Sequence, residues 1–456
     1  MDRSFSQLLA LLSFLCIGLS LLRSGSAVTT TAGTPDGSEL WGYVEVRPKA
    51  HLFWWYYKSP QRTPTPTKPW PTVLWLQGGP EIGPLDVNLQ PRNSTWLQKA
   101  DLIFVDNPVG VGYSYVEDDS LLVTTDWQQA ADATALLKAL VKEVPTLQSS
   151  PLFLVAESYG GKYAATLGAS VARAVRAGEL NVTLGGVALG DSWISPEDFT
   201  LSYTPLLLSV SRLDDNAGDE GNKIAETVKE QIAVGNFSDA EGSWNHLLGF
   251  IRSRSGDVDV YNFLDGSLDQ QASGETPAAS SSTSTPSTEK AMMKYSRYLS
   301  GKGKEDLSAG SNTITGIMNG VIKEKLKIIP KNLTWEELNG AVYNALASEI
   351  MKPRIEEIDE LLSYGVNVTV YNGQLDIICS TIGAEAWVQK LKRSSLPRQT
   401  LYCGSSKDTK AFVRSYNNLH FYWILGAGHY VPVDQPCIAQ HDRQHNSVPS
   451  KLVHYT

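Results

Sequence analysis

Cysteine is scarce in this chain, charge of one sign never accumulates, and only one long apolar run occurs. Four cysteines among 456 residues are too few for a fold built on disulfides. The net charge is −9 and the basic residues form no cluster, which argues against a nucleic-acid partner. No internal repeat is present. The hydrophobic fraction of 42% is enough for a sizeable core.

The one long apolar run lies at the start of the chain. Residues 8–22 are apolar, follow Arg3, and are succeeded by small residues up to Ala27. This pattern predicts a secretory signal peptide over residues 1–27 and a secreted or lysosomal protein. An uncleaved membrane anchor is the alternative, although the run is shorter than the ~20 residues of a typical span. No later run is long enough to cross a membrane, so we expect no membrane partner.

Two further features fit the secretory route. Sequons for N-glycosylation occur at five positions: Asn93, Asn181, Asn236, Asn332 and Asn367. Cys16 lies in the predicted signal peptide, which leaves Cys379, Cys403 and Cys437 in an oxidising compartment. We expect one disulfide, between Cys379 and Cys403, and one unpaired thiol.

Strand and helix patterns alternate along most of the chain. GYVEV and HLFWWYY predict two antiparallel edge strands, and TVLWLQ, DLIFV and PLFLVAE predict strands buried on both faces. Thr125 and Gln128 have capping-box spacing ahead of a helix that Pro145 ends. Its predicted buried face consists of Ala130, Ala133, Leu137, Leu140 and Val141. The prediction is an α/β fold with a mostly parallel sheet flanked by helices.

A different pattern interrupts this alternation. Residues 205–345 are dominated by helical periodicity and include a Ser/Thr/Pro-rich segment near 270–290 that we expect to be disordered. We therefore predict core segments at 28–204 and 346–436, separated by a helical cap insertion at 205–345. Residues 437–456 form a divergent polar tail.

The stretch VAESYGGK is the strongest chemical signal. Ser158 follows a buried strand and precedes a helix, which is the arrangement of a nucleophile elbow, although Ala156 stands where the G-x-S-x-G pattern has its first glycine. A serine nucleophile needs a base and an orienting carboxylate. Asp376 and His429 each follow a predicted strand, and the order Ser, Asp, His is that of α/β-hydrolases.

Each of these residues also has a structural interpretation. Ser158 alone could cap a helix, Asp376 could stabilise a turn, and His429 could be a hydrogen-bonded loop residue. The combination of an elbow, the chain order and three strand ends favours catalysis over these alternatives.

Several motifs resemble the serine carboxypeptidase family over about residues 41–436. They are ESYGGKY, WLQGGP, DNPVGVGYSY, GVALGDSWISP, YNGQLD and GAGHYVPVDQP. The resemblance implies an α/β-hydrolase fold and a catalytic triad of Ser158, Asp376 and His429. It also implies an oxyanion hole formed by the backbone N–H groups of Gly79 and Tyr159.

The resemblance further implies how a substrate is held. Gln77, Glu81 and Glu157 match the family positions that bind the C-terminal carboxylate of a peptide. Two carboxyl groups in contact retain a proton, which favours activity at acidic pH. The partners would be peptide or protein C-termini, no cofactor is required, and a homodimer stays open. Glu157 alone could instead interact with the dipole of the following helix.

Two departures from the family pattern leave alternatives open. Pro80 is followed directly by Glu81, without the roughly ten-residue Gly-x-Ser-Ser segment that the family carries there. This shortening would misplace an oxyanion donor, so a catalytically impaired binding or stabilising protein is an alternative, as is an esterase or acyltransferase. In the tail, Cys437, His441 and His445 have helical spacing, but no fourth ligand accompanies them and we predict no metal site.

Overall fold

Continuous apolar segments form the central strands of the fold. The computed structural model describes residues 29–63, 65, 69–76, 83–85, 89–265, 314–336, 339–391 and 397–439. These residues form one sheet of 12 strands. The strands are β1 (Thr29–Gly33), β2 (Glu39–Arg47), β3 (Ala50–Tyr57), β4 (Thr72–Leu76), β5 (Asp101–Val105), β6 (Tyr115–Val116), β7 (Pro151–Glu157), β8 (Thr183–Gly190), β9 (Val368–Gly373), β10 (Gln399–Leu401), β11 (Ala411–Tyr416) and β12 (Leu419–Ile424).

Helices cover the sheet and fill the region between β8 and β9. They are α1 (Asp126–Glu143), α2 (Gly160–Arg176), α3 (Pro196–Ser209), α4 (Asp215–Ala233), α5 (Phe237–Arg254), α6 (Ile314–Ile317), a π-helix (Met318–Ile322), α7 (Lys323–Leu326), α8 (Gly340–Ile350), α9 (Ile355–Ser363), α10 (Thr381–Lys390), α11 (Val431–Asp434) and α12 (Pro436–Ala439). Short 3₁₀ helices occur at Trp96–Gln98, Asp119–Leu121 and Pro145–Gln148.

The sheet is parallel at its centre and antiparallel at both ends. Its order is β1-β2-β3-β5-β4-β7-β8-β9-β12-β11-β10, with β6 paired to β3. The neighbours from β5 to β12 pair in parallel, so these strands end at the same edge. The predicted mostly parallel α/β sheet is therefore confirmed. The antiparallel pairing of β2 with β3 is confirmed too, but both strands are covered by β1 and β5, so the prediction of edge strands was wrong.

Alternate residues of the central strands pack into two separate hydrophobic layers. In β7, Leu152 and Leu154 belong to the larger core with α1 and α2, whereas Phe153 and Val155 belong to a second core on the opposite face. This two-sided burial explains why β7 is apolar at consecutive positions.

Helix α1 has the predicted cap and buried face. The Thr125 side chain accepts a hydrogen bond from the backbone N–H of Gln128 at 3.1 Å, and Ala130 and Leu137 are fully buried. The side chain of Gln128 reaches back to the N–H of Thr124 at 2.8 Å rather than to that of Thr125, so the reciprocal half of the box is displaced by one residue.

The helices α4, α5 and α8 occupy the predicted insertion, and strand structure resumes at β9. The Ser/Thr/Pro-rich segment near 270–290 lies outside the described residues, as do residues 1–28 and most of the tail. The exact domain boundaries stay predictions. Within the described part of the chain, no helix combines the length and apolar character that a membrane crossing requires.

The disulfide joins a different pair of cysteines from the predicted one. Cys403 is bonded to Cys437, with 6.1 Å between their Cα atoms, and Cys379 is a buried free thiol. The predicted Cys379–Cys403 pair is wrong because Cys379 follows β9, which β12 and β11 separate from β10 and Cys403. Cys437 lies in α12 and thereby ties the start of the predicted tail to this end of the sheet.

Candidate active site

Ser158 occupies a strained turn between β7 and α2. Its φ angle is +57°, a left-handed conformation that costs a non-glycine residue about 1–3 kcal/mol. The turn is held by the neighbouring strand end. The Ser158 N–H donates to the carbonyls of Gly190 at 3.2 Å and Asp191 at 3.1 Å, and its own carbonyl accepts from Trp193 N–H at 2.9 Å. The half-buried side chain thus stands at the carboxyl edge of the sheet.

Asp376 and His429 form a buried pair at the same edge. Oδ2 of Asp376 lies 2.8 Å from Nδ1 of His429, and the two side chains are 0% and 1% exposed. Because a carboxylate can only accept here, Nδ1 carries the proton, and Nε2 of the neutral ring is left as the basic atom. The backbone N–H of His429 donates to Tyr261 at 2.8 Å, and the two rings pack edge to face at 4.9 Å.

Close backbone approach brings the two loops of this pair together. A Cβ atom on Gly373, at the end of β9, would lie 2.0 Å from the carbonyl oxygen of Gly428. Only a residue without a side chain allows this contact. Gly373 and Gly428 are the neighbours that bring Asp376 and His429 within hydrogen-bond distance.

Asp191 connects the serine turn to the aspartate loop. Its carbonyl accepts from Ser158 N–H, and its Oδ1 accepts from Gly373 N–H at 2.8 Å. Among the described residues, Nε2 of His429 has no hydrogen-bond partner, so the structure shows no bond between His429 and the Ser158 hydroxyl. The three predicted residues therefore converge on one sheet edge, with the Asp–His contact formed and the Ser–His contact not formed.

Cys379 lies against the pair. Its sulfur, an oxygen of Asp376 and a ring nitrogen of His429 are within 4.8 Å of one another. Burial, followed by the negative charge of Asp376, raises the pKa of the Cys379 thiol well above its usual value. A protonated thiol is a poor metal ligand, and Asp376 and His429 already bond to each other. The chemistry of the set favours proton transfer over metal binding.

The predicted substrate-binding residues are only partly described. Glu157 ends β7 and is 1% exposed, next to Ser158. Gln77, Gly79 and Glu81 lie outside the described residues, and so does the shortened segment after Pro80.

Tyr159 is anchored to a group of buried charges, which we call the buried ion cluster: Asp126, Lys162, Glu349 and Arg354. The Tyr159 hydroxyl donates to Oδ1 of Asp126 at 3.1 Å, and Nε of Arg354 donates to Oδ2 at 2.8 Å. Lys162, fully buried, lies 3.7 Å from Asp126 and donates to the backbone carbonyls of Glu349 and Ile350. The cluster therefore fixes the first turn of α2 against α1 and the chain after α8.

Two residues of the site were missed at the level of sequence. Asp191 stands within GVALGDSW, and its signal was available, because it is an acidic residue at the end of a buried parallel strand. Tyr261 comes from the insertion, in a loop without periodicity, and nothing in the sequence relates it to His429.

Comparisons with known proteins identify the family of this chain. The family model described as serine carboxypeptidase matches residues 30–443. Serine carboxypeptidase-like 51 of Arabidopsis thaliana is 54% identical over 424 residues, covering 89% of this chain and 91% of that protein. The retinoid-inducible serine carboxypeptidase of Mus musculus is 42% identical over 448 residues, covering 94% of each chain.

A solved structure of a carboxypeptidase has the same fold. The prohormone-processing carboxypeptidase KEX1(delta)p of Saccharomyces cerevisiae superposes with a TM-score of 0.67 at 20% identity, over 89% of this chain and 91% of that one. At that identity the likeness concerns the fold alone. The family match and the two relatives carry the conclusion: this chain belongs to the serine carboxypeptidase family, whose members are hydrolases.

Proposed function

We propose that this protein removes C-terminal residues from peptides, with Ser158 as the nucleophile. The observation that carries the proposal is the buried Asp376–His429 pair, 2.8 Å apart, at the sheet edge where the Ser158 turn is held. Asp376 orients the imidazole so that Nε2 faces the reaction as a base. Membership of a serine carboxypeptidase family supports the substrate class.

The reaction proceeds through an acyl-enzyme. Oγ of Ser158 attacks the carbonyl carbon of the last peptide bond while its proton passes to Nε2 of His429. His429 then gives this proton to the leaving amine, the C–N bond breaks, and the acyl group stays on Ser158. Water then attacks the ester carbon while His429 takes its proton. The bond between that carbon and Oγ of Ser158 breaks, His429 returns the proton to Oγ, and the shortened peptide leaves.

The oxyanion and the substrate carboxylate need donors near Ser158. We assign the oxyanion to the backbone N–H groups of Tyr159 and Gly79. Within the described residues no acceptor is bonded to the Tyr159 N–H, which supports the first assignment. Gln77, Glu81 and Glu157 would bind the substrate carboxylate. Crowded acidic groups retain protons best at low pH, so the expected optimum is acidic.

A second candidate is a family member with impaired catalysis that binds or stabilises partners. It is motivated by WLQGGPEIGPL, where the chain passes from Pro80 to Glu81 without the expected segment. Losing one oxyanion donor costs roughly 100- to 1000-fold in rate. The third candidate is an esterase or acyltransferase, and an experiment must distinguish it from the other two.

A fluorophosphonate probe, with hydrolysis of blocked dipeptides at about pH 5, tests these candidates. We expect covalent labelling of Ser158, identified by mass spectrometry of the labelled peptide, and loss of labelling in Ser158→Ala. Ser170→Ala is the matched control, because Ser170 is also half-buried but lies in α2, bonded to Thr134. His429→Ala should reduce turnover by ~10⁴-fold or more.

The outcomes separate the candidates. Labelling with release of the C-terminal residue supports the carboxypeptidase. Labelling with turnover of esters alone identifies an esterase or acyltransferase. Folded, glycosylated protein that neither labels nor hydrolyses would refute the proposed activity and leave the binding function.

We also propose that the protein enters the secretory pathway and is glycosylated. Residues 8–22 and the five sequons support this assignment. Four of the five sequon asparagines have exposed side chains: Asn93, Asn181, Asn236 and Asn332. Asn367 is half-buried, and its sequon threonine, Thr369, is 5% exposed within β9.

A further inference from the structure

Asp191 is a buried acid at the centre of the site, and the mechanism above gives it no role. It directly follows β8 and is 0% exposed. Its backbone N–H donates to Tyr371 at 2.9 Å, its carbonyl accepts from Ser158 N–H, and its Oδ1 accepts from Gly373 N–H at 2.8 Å. Three of its four polar atoms are therefore satisfied by backbone groups of β9 and of the Ser158 turn.

The remaining oxygen faces another acceptor. Oδ2 of Asp191 and Oδ1 of Asp376 are both buried, and neither has a hydrogen-bond donor among the described residues. The two carboxyl groups lie within side-chain hydrogen-bond contact of each other. Two ionised carboxylates in this position would repel, and each would bury an unsatisfied oxygen, whereas a single proton between them satisfies both atoms.

We propose that Asp191 is protonated and donates its Oδ2–H to Oδ1 of Asp376, as a positioning residue for the Asp376–His429 pair. This inference rests on the proposed function. Asp376 then accepts from His429 Nδ1–H on one oxygen and from Asp191 on the other. Both of its oxygens are fixed, and the two acids together carry one negative charge beside the imidazole.

The surroundings of Asp191 favour the protonated form. Burial, followed by the negative charge of Asp376 and that of Glu157, raises the pKa of Asp191 well above its usual value, against the opposing hydrogen bond from Gly373 N–H. The other titratable groups nearby are Cys379, a neutral thiol, and His429, which is bonded to Asp376. No lysine or arginine forms an ion pair with Asp191 within the described part of the chain.

Asp191→Asn and Asp191→Ala distinguish the effect of losing a hydrogen-bond donor to Asp376 from the effect of losing a negative charge at residue 191. The asparagine amide can donate to Asp376 while its carbonyl still accepts from Gly373 N–H, whereas alanine can do neither. We expect Asp191→Ala to reduce kcat at least tenfold with a smaller change in KM, and Asp191→Asn to recover most of that loss. The acid limb of the pH profile of kcat/KM should stay within ~0.3 unit in Asp191→Asn, because no charge has been removed.

An ionised Asp191 would behave differently. Asp191→Asn would then remove a negative charge beside the pair and move the acid limb to lower pH by about one unit or more, which would overturn the inference. Asp198→Asn is the matched control. Asp198 is also a buried aspartate, but it forms an ion pair with Lys390 at 2.8 Å and lies outside the site.

Infrared difference spectroscopy on aspartate-labelled protein tests the proton itself and needs no turnover. Subtracting Asp191→Asn from wild type near pH 7 should reveal the carbonyl stretch of a protonated carboxyl group, and subtracting Asp198→Asn should not. Absence of this band overturns the inference even in an active enzyme. A band in a protein that does not label with fluorophosphonate supports the shared proton and refutes the proposed function. If Asp191→Ala fails to fold, Asp191→Asn and the spectrum still decide the question.

Discussion

Replacing Gly161 by alanine tests how strongly stability and activity depend on the position of the Ser158 turn. A Cβ atom on Gly161 would lie 2.2 Å from Cβ and 2.3 Å from Oγ of Ser192. Rotation of the serine side chain cannot move its Cβ, and Ser192 is 2% exposed. Carbon atoms pack at about 3.5–4.0 Å, so α2 and the turn at 190–192 must separate by about 1 Å or more.

The cost of that separation has a structural and a catalytic part. Forcing a methyl group into a packed interior typically costs about 1–3 kcal/mol of unfolding free energy. The same turn supplies the carbonyls of Gly190 and Asp191 and the N–H of Trp193 that hold Ser158. Because a displacement of about 1 Å in a catalytic site can cost ~100-fold in rate, we expect Gly161→Ala to label with fluorophosphonate ~100-fold more slowly.

Urea unfolding and labelling rates measure the two parts separately. Gly168→Ala is the matched control in α2, since its Cβ would meet only side-chain methyl groups at 3.1–3.3 Å, and we expect less than about 1 kcal/mol of change. Adding Ser192→Gly to Gly161→Ala leaves the Cα of residue 192 as the nearest of its atoms, at 3.2 Å, and should restore much of the labelling rate. Two results would refute this reasoning. One is wild-type stability and a wild-type labelling rate in Gly161→Ala. The other is a double variant that labels no nearer to the rate of Ser192→Gly alone than Gly161→Ala does.

Three further predictions follow from strain, burial and exposure. Ser158→Gly should be as inactive as Ser158→Ala but more stable by up to about 1 kcal/mol in urea unfolding, since glycine adopts a φ of +57° without strain; equal or lower stability would contradict the strain. Burial raises the pKa of Asp106 to about 7, so the folded state binds more protons than the unfolded chain between about pH 4 and 7 and loses stability as the pH rises through this window. For this half-buried carboxyl we expect about 1–2 kcal/mol of loss, removed in Asp106→Asn, and an unchanged pH dependence in that variant would count against it. Peptide mapping after enzymatic deglycosylation in H₂¹⁸O should find glycans at the four exposed sequon asparagines and none at Asn367. Full occupancy of Asn367 would contradict this prediction, because it would show that a glycan is compatible with the start of β9.

The fold could largely be predicted from sequence because its central strands are buried on both faces. Residues 73–76 and 151–156 are apolar at consecutive positions, and this pattern can be recognised without knowing which strands lie beside them. The outer strands β1 and β10 carry no such pattern, since TTTAG and QTL are short and half-exposed. Without β1, strand β2 could only be placed at an edge.

Pairings between distant segments were the part that sequence could not supply. The order of β9, β12, β11 and β10 in the sheet decides which cysteines can meet, and the prediction from sequence gave Cys403 the wrong partner. The contact between Tyr261 and His429 likewise joins the insertion to the core across 168 residues of chain (429 − 261). By contrast, the convergence of Ser158, Asp376 and His429 on one edge could be predicted, because parallel strands present their ends at one edge whatever their order.

Two groups of buried charges flank the Ser158 turn, and they are neutralised by different means. The buried ion cluster balances Asp126 and Glu349 with Lys162 and Arg354, so its net charge changes little with acidity. Burial lowers the pKa of Lys162 to about 8, and above that pH the cluster keeps one cation for two carboxylates.

On the other side of the turn, Asp191 and Asp376 have no arginine or lysine in ion-pair contact within the described residues, and only His429 and a shared proton offset their charge. Rising pH therefore acts on the catalytic side through the loss of a proton and on the supporting side through the loss of a lysine charge. One side of the turn thus neutralises its buried carboxylates with cations, and the other with an imidazole and a proton, because an unpaired buried carboxylate would be costly on either side.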